Sequence, residues 1–274
     1  MAVMRRADKK VAILSIEHRP GETQAKGMEI NGTTALVTGS NRGLGRALVQ
    51  ALLDRGAARV YAAARDLATL APLTSLPGTG ARVVPVRLDL TDPAQIAAAA
   101  RTATGVRLLV NNAGAAAFAD PFSADRAAVA REMDTNYLGT FDVIRAFAPG
   151  MAAAGGGAVV NVLTLLSFAS MPLMAGYSAS KAAAHSLTQA IRPALAAQGI
   201  TVHGVYPGGI DTGMLAGVEA PKAAPRQVAD AILDGVQGDV LEIFPDPMAQ
   251  QMAQLRLADP KAFEQAFLDL AAAQ

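Results

Sequence analysis

Short runs rich in Val, Leu and Ala recur along the chain and alternate with longer stretches whose apolar residues return every three or four positions. The runs TALVTG (34–39), RVYAAA (59–64), RVVPVRLD (82–89), RLLVNNAG (107–114), GAVVNVLT (157–164), ITVHGVYPG (200–208) and VLEIFP (240–245) predict strands. The stretches between them predict helices over 44–55, 67–71, 93–103, 124–153, 176–198 and 225–237. Near-continuous apolar runs belong to strands buried on both faces. Strict alternation of strand and helix requires right-handed crossovers, so the expected fold is α/β, a doubly wound parallel sheet with helices on both faces. The tail 248–273 reads as helical, broken near Asp259-Pro260. Residues 1–27 differ in character, with Arg5, Arg6, Lys9 and Lys10 followed by HRPGETQAKG, and are expected to be a disordered extension to one domain over 28–274.

Composition narrows the function. At 274 residues and 51% hydrophobic, the chain can bury one large core. A net charge of +1 with both signs interspersed gives no basic face for nucleic acid, which leaves a small molecule as the expected partner. Cysteine is absent, which excludes disulfides and thiolate chemistry, and His18, His185 and His203 lack metal-ligand spacing, so no metal site is expected. The uncharged run 146–180 is interrupted by three consecutive glycines, Asn161 and Pro172, and reads as a buried strand with its loops rather than a membrane span. The expected setting is cytoplasmic.

Between the first strand and the first helix lies TGSNRGLG, with Gly39, Gly43 and Gly45 spaced G-x-x-x-G-x-G. Glycines there let backbone N–H groups approach a pyrophosphate while the helix N-terminus adds its positive end, which points to dinucleotide binding; the alternative is a tight turn alone. The second strand ends in Ala63-Ala64-Arg65, where an NAD site usually places a carboxylate for the ribose hydroxyls. Arg65 and Arg42 could instead grip a 2′-phosphate, so NADP(H) is expected in preference to NAD(H). The alternative is that Arg65 and Asp66 decorate a surface turn, with Asp66 capping the next helix.

Tyr177 and Lys181 stand four residues apart in YSASKAAAHSLTQAIR (177–192), a stretch of strong helix-forming character, and so share one face. A lysine in so apolar a region is costly unless it is used. A free phenol titrates near ~10, and an adjacent ammonium is expected to lower that value and make the tyrosine a usable acid and base for a carbonyl/alcohol pair.

Five motifs in order, TGSNRGLG, NNAG (111–114), MDTNYLG with Asn136, YSASK (177–181) and YPGGIDT (206–212), resemble the short-chain dehydrogenase/reductases over about Met28 to Pro245. The resemblance implies a Rossmann-type sheet, a bound NAD(P)(H) and a catalytic tetrad. By position, Tyr177 is the proton donor and acceptor, Lys181 its activator, and Asn136 the holder of a relay water. It also implies cofactor contacts from Gly39, Ser40, Asn41, Arg42, Gly43, Leu44 and Gly45 in the loop, and from Asn111, Ala113 and Gly114. Asp89 and Leu90 would line the adenine, and Pro207, Gly208, Ile210 and Thr212 the nicotinamide end. A homodimer or homotetramer through the helices 124–153 and 176–198 is implied as well.

The family's serine normally lies thirteen residues before the tyrosine, and here that position is Thr164. Threonine makes the same hydrogen bonds as serine but its methyl stiffens χ1 and fills space. Thr164 is taken as the tetrad hydroxyl and Ser167 as a substrate contact. Met171, Leu173, Met174 and the segment 214–225, beginning at Met214, are expected to wall the pocket and to suit a small hydrophobic ketone, aldehyde or alcohol. The alternative is a dinucleotide-binding sensor or scaffold in which the threonine has removed useful turnover.

Overall fold

The computed structural model describes residues 27–75 and 80–272. Except for Gly27, the expected N-terminal extension lies outside the described residues. Within them, strands β1 (Thr34–Thr38), β2 (Arg59–Ala64), β3 (Val83–Arg87), β4 (Leu108–Asn111), β5 (Gly157–Val162), β6 (Ile200–Val205) and β7 (Glu242–Ile243) form one sheet. All pairs are parallel and the order is β3-β2-β1-β4-β5-β6-β7. The chain thus reverses direction across the sheet between β1 and β4, opening a crevice at their C-terminal ends where such sheets bind ligands.

Alternate strand residues serve opposite faces. Ala35, Val37, Val60, Val110 and Val160 pack with α1 (Gly43–Asp54), where Leu44, Leu48 and Leu52 form a stripe, and with α7 (Pro225–Gln237). Leu36, Tyr61, Leu109, Val159 and Val202 face the other way, towards α3 (Pro93–Thr102) and α5 (Thr140–Ala153). The order of helices is completed by α2 (Ala71–Thr74), α4 (Arg126–Met133), α6 (Ala175–Ala196), α8 (Pro247–Ala258) and α9 (Pro260–Ala272). Among the described residues no helix is long and apolar enough to cross a membrane.

Three boundaries differ from expectation. The helix foreseen over 124–153 is α4 and α5 joined by a π turn, Asp134–Gly139, which lets Gly139 pass so close to Leu90 that a Cβ would meet the Leu90 carbonyl at 2.6 Å. The last strand is two residues long, because the chain turns at Asp246, which caps α8 through the Ala249 N–H. The stretch 67–71 is a 3-10 turn, Leu67–Leu70, running into α2, and Asp66 caps it by accepting from Ala68 N–H at 3.0 Å. The α8–α9 hairpin carries Phe263 and Phe267 into a third apolar cluster with Leu165, Leu166, Met174 and Tyr177. That cluster places the C-terminal helices over the loops beyond β5.

Candidate active site

The glycine loop is built for close approach. Gly39 and Gly43 have φ of +66° and +52°, a region favouring glycine. A Cβ on Gly45 would collide with the Gly39 carbonyl, so the first turn of α1 can lie directly on the loop only without one. Ser40 is fully buried, its hydroxyl donating to Val37 C=O at 2.6 Å and its N–H to Ala63 C=O at 3.0 Å, which ties the loop to β1 and β2. The Asn41 carbonyl accepts from Arg46, and Leu44 anchors the helix in the core. No side chain caps the N-terminus of α1, whose N–H groups therefore remain open to an anion.

Ala64 ends β2 as a buried residue, and Arg65 beyond it is exposed. Arg42 is exposed too, with Nη1 3.8 Å from where a Cβ on Gly213 would lie. Neither arginine has an ion-pair or hydrogen-bond partner among the described residues. The Asp89 carboxylate accepts from the N–H and hydroxyl of Thr91, and Leu90 packs on the π turn.

Sequence reasoning passed over Asn112. Its Nδ2 donates to the carbonyls of Thr38 and Gly39 at 2.9 and 3.2 Å, while the Thr38 hydroxyl accepts from the N–H groups of Asn112 and Ala113, both at 3.0 Å. This fastens β4 to the glycine loop. The Asn111 carboxamide lies within the sheet instead, donating to Asn161 at 2.8 Å, and Asn161 donates to Thr188 of α6. The signal for Asn112 was its place beside Asn111 in NNAG, but which carboxamide faces the loop depends on the pleat.

Tyr177, Lys181 and Asn136 come together at the C-terminal edge of β4 and β5. Lys181 is 5% exposed, and its ammonium donates to the Val162 carbonyl at 2.8 Å and lies 5.9 Å from the centre of the Tyr177 ring. A Cβ on Gly114 would lie 3.2 Å from Asn136 Oδ1 and 3.6 Å from Lys181 Nζ, so this glycine borders both. Asn136, on the π turn, accepts from the Ala115 N–H and donates to the Ala115 carbonyl and the Ser180 hydroxyl, each at 2.8 Å. Ser180, also unforeseen, donates to the Tyr177 carbonyl at 2.7 Å and so links the asparagine to the helix of the tyrosine. The Tyr177 hydroxyl makes no hydrogen bond among the described residues.

Burial takes the lysine down from 10.5 to about 8. The tyrosine moves against expectation: burial pushes its phenol above the usual value, and the Glu132 carboxylate adds to the rise. Burial is the larger cause, and the ammonium, directed at the Val162 carbonyl rather than at the phenol, does not offset it.

Thr164, two residues beyond β5, caps the 3-10 turn Leu165–Ser167 with its hydroxyl accepting from Leu166 N–H at 3.3 Å, leaving its proton free to donate. The Ser167 hydroxyl is buried and has no partner among the described residues. Met171 packs against the cluster containing Tyr177 and Met214 is exposed, whereas Met174 is a core residue and Leu173 lines a separate cavity with Glu132. On the other side of the crevice, the Pro207 carbonyl accepts from Leu165 N–H, Ile210 bridges to Ala223, and the Thr212 methyl lies 2.9 Å from where a Cβ on Gly43 would sit. Gly208 N–H donates to Asp246 at 2.9 Å, a buried carboxylate that sequence reasoning missed because Asp-Pro reads as an ordinary helix start.

A family model described as short chain dehydrogenase matches residues 33–223. The chain belongs to the short-chain dehydrogenases. Its fold is similar to that of a short chain dehydrogenase from Burkholderia cenocepacia in complex with NADP, with a TM-score of 0.81 at 42% identity over 88% of this chain and 99% of the other. A short chain dehydrogenase/reductase from Burkholderia phymatum in complex with NAD follows at TM-score 0.76 and 26% identity over 86% and 96%. In sequence, the chain is 35% identical over 187 residues to the 3-alpha-(or 20-beta)-hydroxysteroid dehydrogenase of Mycobacterium bovis, covering 67% of this chain and 71% of that protein. As a short-chain dehydrogenase it is an oxidoreductase of the CH–OH/C=O class with a Rossmann-type nucleotide-binding fold.

Proposed function

We propose that this short-chain dehydrogenase is an NADP(H)-dependent reductase of small, hydrophobic ketones or aldehydes, running in reverse as an alcohol dehydrogenase. The observation that carries the reading is the Tyr177 ring, its hydroxyl without a hydrogen bond among the described residues, 5.9 Å from the ammonium of the buried Lys181. The open α1 N-terminus, and the glycines that no Cβ could replace, fit a pyrophosphate. The cofactor, when bound, supplies or accepts the hydride. Everything else falls to the chain.

A carbonyl oxygen that gains electron density needs a proton, and a phenol held in its acid form supplies it, because an alkoxide is the stronger base. Lys181 stabilises the resulting phenolate. Asn136 fixes the Ala115 backbone beside it, and Thr164 donates to the carbonyl oxygen to orient it. Ser167, whose buried hydroxyl has no partner among the described residues, is the second polar contact in a pocket otherwise walled by Met171 and Met214. Assembly as a homodimer or homotetramer through α4, α5 and α6 would cover the exposed Val129 and Leu138.

Cofactor choice follows from Arg42 and Arg65, exposed and without side-chain partners among the described residues, and from alanine in place of a carboxylate at position 64. NADPH should bind at least ~10-fold more tightly than NADH in a fluorescence titration. Arg65→Asp should reverse much of that preference, and equal dissociation constants for the unaltered protein would refute it.

The hydroxyl assignment has its own test. Thr164→Val keeps shape and removes the donor, so turnover should fall by ~10-fold or more, while Thr164→Ser preserves or raises it. Ser167→Ala should cost less. A fast Thr164→Val enzyme beside an inactive Ser167→Ala enzyme would transfer the orienting role to Ser167.

A further inference from the structure

The 3-10 turn Leu165–Ser167 is closed by Phe168, whose N–H donates to the Leu165 carbonyl at 3.0 Å. The Phe168 ring stacks on that of Tyr206, with centroids 4.6 Å apart and planes 30° from parallel. Tyr206 is fixed on its own account: it is fully buried, its N–H donates to the Ile243 carbonyl at 2.8 Å, and its hydroxyl lies 2.7 Å from His185 Nδ1. The turn thus rests on 206–207 at both ends, by this stack and by the Leu165 N–H bond to the Pro207 carbonyl at 3.2 Å. A further group reaches it from the C-terminal helices. On the last turn of α8, the Arg256 guanidinium covers the Phe168 ring, its Cζ 3.9 Å from the ring centre.

Arg256 is poorly placed for ion pairing. It stands 3.9 Å from Glu242, a carboxylate that Arg192 approaches at the same distance. It makes no hydrogen bond among the described residues, and its Nε is buried without one. Burying that donor costs free energy that an apolar side chain on the same ring would not. A flat, weakly hydrated cation suits an aromatic face, so the stack on Phe168 decides where this side chain lies. Phe168 follows Ser167 directly, and what fixes the ring fixes the turn.

We propose that Arg256 is a positioning residue for substrate selection: it holds Phe168 against Tyr206 and so sets the place of the Leu165–Ser167 turn at the crevice. This rests on the carbonyl substrate lying against that turn, as read above from Ser167. Arg256 acts on the shape of the pocket, through Phe168. Its effect therefore belongs to KM for the carbonyl rather than to the proton or hydride step.

Arg256→Met keeps the apolar stem and removes the plane and its charge. KM for the carbonyl should rise at least ~3-fold, in keeping with the usual worth of such a stack, while kcat changes less than ~2-fold and NADPH binds as before. Phe168→Leu removes the ring and leaves the arginine, so it should raise KM as well, and it decides the matter if Arg256→Met does not fold. The double variant should be no worse than the worse single one, because both changes break one contact. An unchanged KM in either folded single variant would overturn the inference, as would effects that multiply in the double variant. Ser167→Ala separates this from the reading beneath it. A KM raised by Arg256→Met and left alone by Ser167→Ala would support the role of the turn and pass the substrate contact from Ser167 to a neighbour on it. An unaltered protein that reduces no carbonyl would overturn the reading, and the inference with it.

Discussion

Tyr177→Phe should lower carbonyl reduction by ~100-fold or more while NADPH still binds, in keeping with the usual size of general acid catalysis. The ring is nearly buried in the cluster formed with Leu165, Leu166 and Met174, and phenylalanine fills the same space. The hydroxyl bonds to nothing among the described residues, so its removal leaves no protein group without a partner, and folding should be unaffected. Loss of turnover with an unchanged melting temperature would therefore report chemistry alone. The measurement is the absorbance of reduced nicotinamide over a panel of ketones and aldehydes, with cofactor binding followed by fluorescence. A variant that keeps its rate would remove the tyrosine from the mechanism. An unaltered protein that binds NADPH and turns over no carbonyl would favour a dinucleotide-binding sensor or scaffold.

Lys181→Met should be nearly as damaging to activity, ~100-fold, yet harmless to the fold. Bringing the ammonium into the interior takes it from 10.5 to about 8, which corresponds to about 3 kcal/mol of burial cost at neutral pH. Methionine of similar shape avoids that cost and forfeits the bond to the Val162 carbonyl, worth about 1 to 3 kcal/mol if left unmade. The two nearly cancel, so the melting temperature at neutral pH should stay within a few degrees or rise. The unfolded chain binds the extra proton between the two values, so the lysine penalty is fully present below pH about 8 and is relieved as pH rises towards about 10.5. The stability of the unaltered protein should accordingly gain on that of the variant across this window. Parallel curves would mean that the lysine is not buried as charged.

Most of the architecture was legible because its signals are local. Apolar runs mark β1 to β6, Asp66 marks the turn after β2, and the glycine spacing marks the loop at Gly39. What stayed hidden depends on contacts between distant segments. The π turn at Asn136 has no sequence period of its own, and it arises where Gly139 meets Leu90. Glu132 reads as one more charge on an exposed helix until the 115–119 segment is folded over it. The direction of the Tyr177 shift follows burial of the ring, which spacing does not give: i, i+4 positions fix which face a lysine shares, and not where its ammonium points.

Asp246 gives the C-terminal region a part in the site. One carboxylate starts α8 through Ala249 and holds the Gly208 N–H beside the crevice, while the hairpin it begins presses Phe263 and Phe267 into the cluster around Tyr177. The last helices and the loop after β6 are consequently a single mechanical piece. Exchanging the tail between relatives to alter substrate choice will succeed only when the Gly208 loop travels with it, and a tail transplanted alone will arrive with its anchor aimed at a foreign backbone.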